Sequence, residues 1–405
     1  MKLELLAPAG DKEKLQTAFY YGADACYFAG KKWGLRAFSD NFDEDELKEY
    51  INYAHSLGKK AYITVNIQAH NEDFNGLSDY LKYLYEIKAD AIIVSDAGIL
   101  SLAKQVVPNL PVHMSTQACA SNKYSARFWA DAGAKRIILA RELSLKEIKE
   151  IREFLPEEIE LEAFVHGAMC ISYSGRCLLS NYLANRDSNR GQCVQACRWA
   201  YKIREVSREG DELEIQEDNK GTYILNSKDL CMIEHIDEMI DAGVTSFKIE
   251  GRMKSPFYVA TVVNTYRRAL DMYQKDPKNF KVDPCWKSEL ENCSHRQFTT
   301  GFCLGENDHE CIESSQPVSK SEFMAIVTKD AENGFVEVEQ RNRFKVGDVL
   351  EVLSPNDTFL KQIEITQMFD VDQNEVQDAL KVQQKLKLKT TLNLKRNDIL
   401  RKIKN

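Results

Sequence analysis

The 405 residues carry 54 basic and 62 acidic side chains, a net charge of −8, which argues against a surface given over wholly to binding polyanions. With 43% hydrophobic and 29% charged residues the composition is that of an ordinary globular chain of two or three domains. No window nears the roughly 18 uninterrupted apolar residues that cross a bilayer, and MKLELLAPAG lacks the basic-then-apolar pattern of a secretory leader. A cytoplasmic protein with no membrane partner and with reduced thiols is therefore expected.

Short runs rich in β-branched and aromatic residues alternate with longer stretches of helical period. Strands are expected at 3–9, 24–30, 60–66, 90–96, 111–117, 135–141, 159–167 and 246–252. Between them lie helices such as DEDELKEYINYAHSLG, with Asp43 as N-cap and Gly58 as C-cap, and SLKEIKEIREFL, with Ser144 as N-cap. Strands followed by helices favour parallel pairing, so the predicted fold is α/β: a (β/α)8 TIM-like barrel over residues 1–275. A ninth apolar run, TYILNS at 222–227, leaves an open doubly wound sheet as the alternative. A cysteine-rich insertion over about 168–220 interrupts the barrel before its last strand and includes an expected hairpin, YKIREVSREGDELEIQED, turning near Gly210. Residues 276–319 read as an irregular connector. Residues 320–405, with the period-two runs GFVEVEQ, DVLEVL, IEITQM and KLKLKT, read as a small C-terminal antiparallel β-barrel domain. Its last stretch, 381–405, holds nine Lys or Arg against the single acidic Asp398, either a phosphate-facing surface or a solvated final strand.

In a barrel of this kind the chemistry sits at the C-terminal ends of the strands. Those ends carry Asn66, Asp96, Gln117, Arg141, His166, Glu250 and Arg252. An apolar strand has no structural need to end on a charge or an amide, although each residue taken singly also fits a solvated loop.

The segment HGAMCISYSGRCLLSNYLANRDSNRGQCVQACRW, 166–199, gathers Cys170, Cys177, Cys193 and Cys197, separated by six, fifteen and three residues. Zinc sites favour two tight ligand pairs, and only Cys193 and Cys197 are so spaced. An iron–sulfur cluster needs four converging thiolates and tolerates irregular spacing on a loop. Arg176, Arg190 and Arg198 suit the negative charge of such a centre. Four inert packing cysteines are the plain alternative, against which the segment is too polar for a core. A cysteine nucleophile, Cys170 with His166 as base, leaves three thiols unexplained, and YSGR is not a serine-hydrolase elbow. Cys285, Cys293, Cys303 and Cys311, near His295, form a second and weaker metal candidate; Cys26, Cys119 and Cys231 read as packing residues.

LEAFVHGAMCISYSGRCLLS (161–180) resembles the signature of the collagenase-like peptidase family, whose catalytic type was never assigned. LLAPAGDKEKLQTAFYYGADACYFAG, LRAFSDNF, YILNSKDL, SFKIEGRMKSPFYVATVVNTYRRALD and HRQFTTGF agree with it, from residue 3 to about 302. RNRFKVGDVLEVLSP is similar to the extra β-domain of one branch, the tRNA hydroxylation proteins. The resemblance implies an iron–sulfur protein that converts the wobble uridine of tRNA to 5-hydroxyuridine in a prephenate-dependent reaction. By position it implies Cys170, Cys177, Cys193 and Cys197 as ligands of a cluster, expected to be 4Fe–4S. Its motif positions also fall on Arg36, His166, Arg176, Asn226, Lys228, Asp229, Lys248, Glu250 and Arg252.

On this basis His166, Glu250 and Lys248 are expected to be catalytic. Arg36, Arg141, Arg176, Arg252, Asn226, Lys228 and Asp229 are expected to bind substrate. The expected partners are tRNA and a small carboxylate donor, prephenate. Two other readings stand beside this one: a peptidase, as the family name implies, and a non-catalytic RNA-binding iron–sulfur protein. Cys303 occupies a position that the resemblance makes apolar, a departure that weakens the second metal candidate.

Overall fold

The structure, a computed structural model, describes residues 2–35, 41–199, 217–218, 221–222, 227–305 and 317–404. Eight parallel strands form its centre: β1 (Glu4–Pro8), β2 (Ala25–Phe28), β3 (Lys60–Val65), β4 (Ala91–Val94), β5 (Val112–Met114), β6 (Arg136–Ile138), β7 (Glu160–Ala168) and β8 (Ser246–Ile249). Each pairs with the next, and β8 bonds both β7 and β1. That closure makes the sheet a barrel and removes the open-sheet alternative.

Helices α1 (Lys12–Tyr20), α2 (Glu44–Ser56), α3 (Leu77–Glu86), α4 (Ala97–Val106), α5 (Lys123–Asp131) and α6 (Leu145–Phe154) follow the first six strands. Their starts are written locally. Asp43 and Ser144 accept from the backbones of Glu46 and Glu147, whose carboxylates bond back to the caps, satisfying otherwise unpaired N–H groups. Leu57, not Gly58, is the C-cap of α2; Gly58 follows it at φ +67°, where a residue without Cβ is unstrained.

Alternation along the strands sorts two environments. One set of residues, such as Leu5, Phe28, Ile63, Val94, Leu161 and Phe247, joins the core beneath the helices. The other set fills the barrel with Leu6, Ala25, Tyr27, Tyr62, Ala91, Ile93, Ile138 and Phe164. The lower interior is ionic. Arg136, 2% exposed, donates to Glu4 (2.5 Å), Glu162 (3.0 Å) and Glu160 (2.6 Å), and Glu162 also accepts from Lys248 at 2.7 Å. Charges at this depth persist only when paired.

After the barrel mouth the chain enters the insertion, which contains α7 (Leu179–Ala184). It returns in the strand Asp229–Cys231, antiparallel to the end of β7. The expected hairpin and the ninth apolar run fall largely outside the described residues; of that stretch only a pairing of Glu217–Asp218 with Gly221–Thr222 is described. Helices α8 (Ile236–Asp241) and α9 (Pro256–Lys275) flank β8. The expected irregular connector instead contains α10 (Pro284–Leu290), capped by Asp283, and a short strand, Phe298–Thr299, beside Asp229–Cys231.

The C-terminal segment forms a seven-stranded antiparallel half-barrel around Met324, Val338, Leu350, Leu388 and Leu400. Its joint with the barrel is polar and buried. Arg401, 0% exposed, is bracketed by Glu289 of α10 (2.5 and 2.7 Å) and Glu351 (2.6 Å), and the Tyr21 hydroxyl donates to the Leu353 carbonyl at 2.8 Å. The basic last stretch divides accordingly. Arg401, Lys402 and Lys395 are in ion pairs, whereas Lys385, Lys387 and Lys389 line the exposed side of one strand. No described helix is long and apolar enough to cross a membrane.

Candidate active site at the barrel mouth

The strand ends and the insertion enclose one cavity of about 160 Å3. Its floor and walls come from the barrel: Tyr27, Thr64, Asn66, Ile93, Gln117, Ile138, Arg141, Phe164, Lys248, Glu250 and Arg252. Its roof comes from the insertion, through Cys170, Cys177, Cys193 and Cys197 with Ser174, Ser180 and Ser188. Residues far apart in sequence thus meet where barrel chemistry is expected.

The cationic groups are set by buried partners. Lys248 is 4% exposed; its ammonium bonds the Glu162 carboxylate and lies 4.5 Å from the centre of the Tyr27 ring. Arg252, also 4% exposed, donates to the Leu35 carbonyl at 2.7 Å, Asn41 Oδ1 at 2.9 Å and Thr64 Oγ1 at 3.3 Å. Arg141 donates to the Ala168 carbonyl at 3.1 Å and sits over Phe164. The Glu250 backbone is clamped on both sides, its N–H donating to the His166 carbonyl and its carbonyl accepting from the Tyr258 hydroxyl, each at 2.9 Å. Gly167 permits this approach: a Cβ there would lie 2.6 Å from the Glu250 oxygen. Gln117, 6% exposed, donates to the Gly175 carbonyl, and its Oε1 has no hydrogen-bond partner among the described residues.

The insertion is held by side-chain-to-backbone bonds rather than by a sheet. Asn189 brackets Cys177, accepting from its N–H at 3.1 Å and donating to its carbonyl at 3.0 Å. An Arg190–Asp73 ion pair ties this turn to the loop after β3. Left-handed backbone at Ser174, Asn185, Gly191 and Gln195 folds the segment back on itself. Backbone N–H groups point at sulfur: Leu179 to Cys177 and Gln195 to Cys193, both at 3.4 Å, with the Ser180 hydroxyl 3.9 Å from Cys193 Sγ. Burial pushes the Cys197 thiol up; Arg198 opposes this, and Cys170, Cys193 and Cys177 add to it, as four thiols in one neighbourhood must. Among the described residues no group of His, Cys, Asp or Glu is tight enough to grip a single metal ion.

Several expected site residues lie elsewhere. His166 is 1% exposed and packs against Tyr258, Tyr266 and Phe298, outside the cavity. The cause is a register shift: Lys248 pairs with Phe164 but Ile249 with His166, so β7 carries an extra residue and its end turns over. Burial lowers the imidazole to about 3. Asp229 is buried in an ion pair with Arg296; burial opposes ionisation there, and Arg296 and Lys254 nonetheless hold the carboxyl below its ordinary range. Lys228 is buried beside it and does not line the cavity. Arg176 bonds the Gln117 carbonyl at 2.7 Å from the rim. Arg36 and Asn226 are outside the described residues.

The second cysteine group does not converge. Cys303 and Cys293 are buried, each pushed up to about 12 by that burial, while Cys285 is exposed on α10 and Cys311 is outside the described residues. Cys26 and Cys231 are buried as packing residues, and Cys119 is half-buried. Sequence reasoning missed Glu162, the counter-ion of Lys248. Its signal was a carboxylate in the middle of the apolar run IELEAFVHG, in phase with Phe164.

Two family models match: Peptidase family U32 over residues 10–313, and the Peptidase family U32 C-terminal domain over 319–401. Among curated proteins the chain is similar to tRNA hydroxylation protein P1 of Bacillus subtilis (strain 168), 43% identical over 93% of this chain and 89% of the relative. It is similar to tRNA hydroxylation protein P of Escherichia coli (strain K12), 38% identical over 87% and 86%. A protein named Collagenase from Porphyromonas gingivalis (strain ATCC BAA-308 / W83) is 34% identical over 75% and 74%.

Proposed function

The chain belongs to Peptidase family U32, and from that premise we propose that it is an RNA hydroxylase acting on tRNA, converting C5–H of the wobble uridine to C5–OH with prephenate as co-substrate; the donor gives up a hydroxyl and takes the hydrogen in its place, so that uridine is oxidised by two electrons and the donor reduced by two. The observation that carries the reading is the single cavity that combines four thiols with Arg141, Lys248, Glu250 and Arg252. The names of the relatives 43% and 38% identical over most of their length support the reaction class.

Cys170, Cys177, Cys193 and Cys197 would hold an iron–sulfur cluster, of 4Fe–4S type. Their donor set fits: four half-buried thiols around one space, with backbone N–H groups directed at sulfur. When bound, the cluster supplies one-electron redox capacity at the cavity. The protein's own groups do the rest. A base must leave the RNA stack to enter a barrel mouth. Arg141 receives a carboxylate of the donor, Arg252 lends its positive charge from behind its bonds to Leu35, Asn41 and Thr64, and Lys248 adds a charge held in place by Glu162. Glu250 moves the proton at uridine C5. His166, packed away from the cavity, has no part in that transfer.

The Collagenase relative favours a second reading, peptide hydrolysis. It asks for a nucleophile with a base in reach, and among the described residues no histidine lines the cavity beside Cys170. The test is nucleoside mass spectrometry of tRNA from a deletion strain. Loss of 5-hydroxyuridine, restored by the wild-type gene, is expected. Unchanged tRNA together with gelatin cleavage by the purified protein would transfer the assignment to the peptidase.

A further inference from the structure

We propose that the outer face of the cysteine insertion, through Tyr173, Tyr182 and Trp199, is a stacking platform for the unpaired RNA bases that flank the one in the cavity. The inference rests on the tRNA reading above and adds to it where on the protein the RNA loop lies.

The described part of the insertion exposes apolar side chains. Tyr182 is 81% exposed, Tyr173 55% and Trp199 43%, with Leu178 at 56% and Leu183 at 48% among them. Large apolar groups crowded into one short segment of otherwise polar composition mark an interaction site. They also sit on the backbone that builds the cavity roof. Helix α7, which carries Tyr182, starts two residues after Cys177 and packs on the Ala196–Arg198 turn that precedes Trp199. The turn bearing Tyr173 packs on Thr116–Ala118 at the end of β5. A ligand lying across these rings is therefore next to the cavity entrance.

Charge selects the occupant. Between Cys170 and Trp199 the sequence places Arg176, Arg186 and Arg198, beside Arg190 that is paired with Asp73, against one acidic residue, Asp187, on a chain whose net charge is −8. Aromatic rings interleaved with guanidinium groups suit splayed-out bases and their phosphates. Duplex RNA offers no free base faces, so the platform suits a loop.

Fluorescence anisotropy on the anaerobically purified full chain tests this, with an anticodon stem-loop and a blunt duplex of the same stem as probes. Tyr182→Ala and Tyr173→Ala are each expected to weaken stem-loop binding by about 5- to 150-fold, the usual loss per stacked base. Tyr182→Phe, which keeps the ring, should bind within about twofold of wild type. Duplex affinity and iron content should not change. Unaltered stem-loop affinity in both alanine variants overturns the proposal. So does an equal loss on the duplex, or a change of oligomeric state with no change in RNA binding, which would make the face an interface between copies. If wild type binds the stem-loop through these rings but restores no 5-hydroxyuridine, the hydroxylase reading falls and the platform stands.

Discussion

The cavity has two halves built on different principles. The barrel half is assembled from strand ends whose positions follow from sheet closure, and its charges are fixed from below by the buried Arg136, Glu162 and Lys248 chain. The insertion half, from Met169 to Trp199, has no strand. Its turns are held by single bonds such as Asn189 to Cys177 and the Arg190–Asp73 pair. The comparison teaches that the barrel half is fixed by sheet closure and buried ion pairs, whereas the cysteine half rests on few local bonds and would gain most from the cluster proposed for it, since metal binding couples to local folding.

The contrast breaks most sharply at the sulfurs. Cys170→Ala should abolish iron binding and 5-hydroxyuridine formation while leaving the barrel folded, read by iron and sulfide analysis, nucleoside mass spectrometry and circular dichroism. A Cys170→Ala protein that still restored the nucleoside would refute the cluster's role. At the opposite end, Arg136→Ala takes from Glu4 and Glu162 the guanidinium they share inside the barrel, leaving Lys248 as the buried cation beside Glu162, and should cost about 3–5 kcal/mol in urea unfolding. Iron content of the surviving native fraction should be normal, which separates the two halves.

His166 gives a prediction in pH. The native fold keeps the imidazole neutral down to about 3, because of its burial, whereas the unfolded chain takes up a proton near 6.5. Acid therefore favours unfolding through this group. Between those values wild type should lose up to about 1.4 kcal/mol of stability per pH unit more than His166→Phe. Parallel acid limbs for the two proteins would contradict the buried placement. Glu162→Gln removes the charge facing Lys248, and the KM for the carboxylate donor should rise about tenfold with the KM for tRNA unchanged. Smallest is Ser180→Ala, which removes the hydroxyl between Cys193 Sγ and the Val194 N–H and should cost about 1 kcal/mol.

The barrel was legible because its strands are short apolar runs separated by capped helices; Asp43 and Ser144 announce the start of α2 and α6 in the sequence itself. The cysteine quartet was legible from composition alone, and Arg141, Glu250 and Arg252 from their place at strand ends. His166 was not, since a one-residue register shift in β7 reverses the direction that alternation predicts and nothing local in VHGAM signals it. Asp229 was expected to bind substrate because a motif of the resembled family falls on it; its buried partner, Arg296, is distant in sequence and was not visible there. Lys248 was visible, but the depth at which Glu162 holds it depends on two strands meeting across the closed barrel.

The most direct measurement is the iron and acid-labile sulfide content of the wild-type chain purified without oxygen. About four of each per chain are predicted, falling to none in Cys177→Ala. A colourless wild-type preparation without iron, still able to hydroxylate tRNA, would contradict the account.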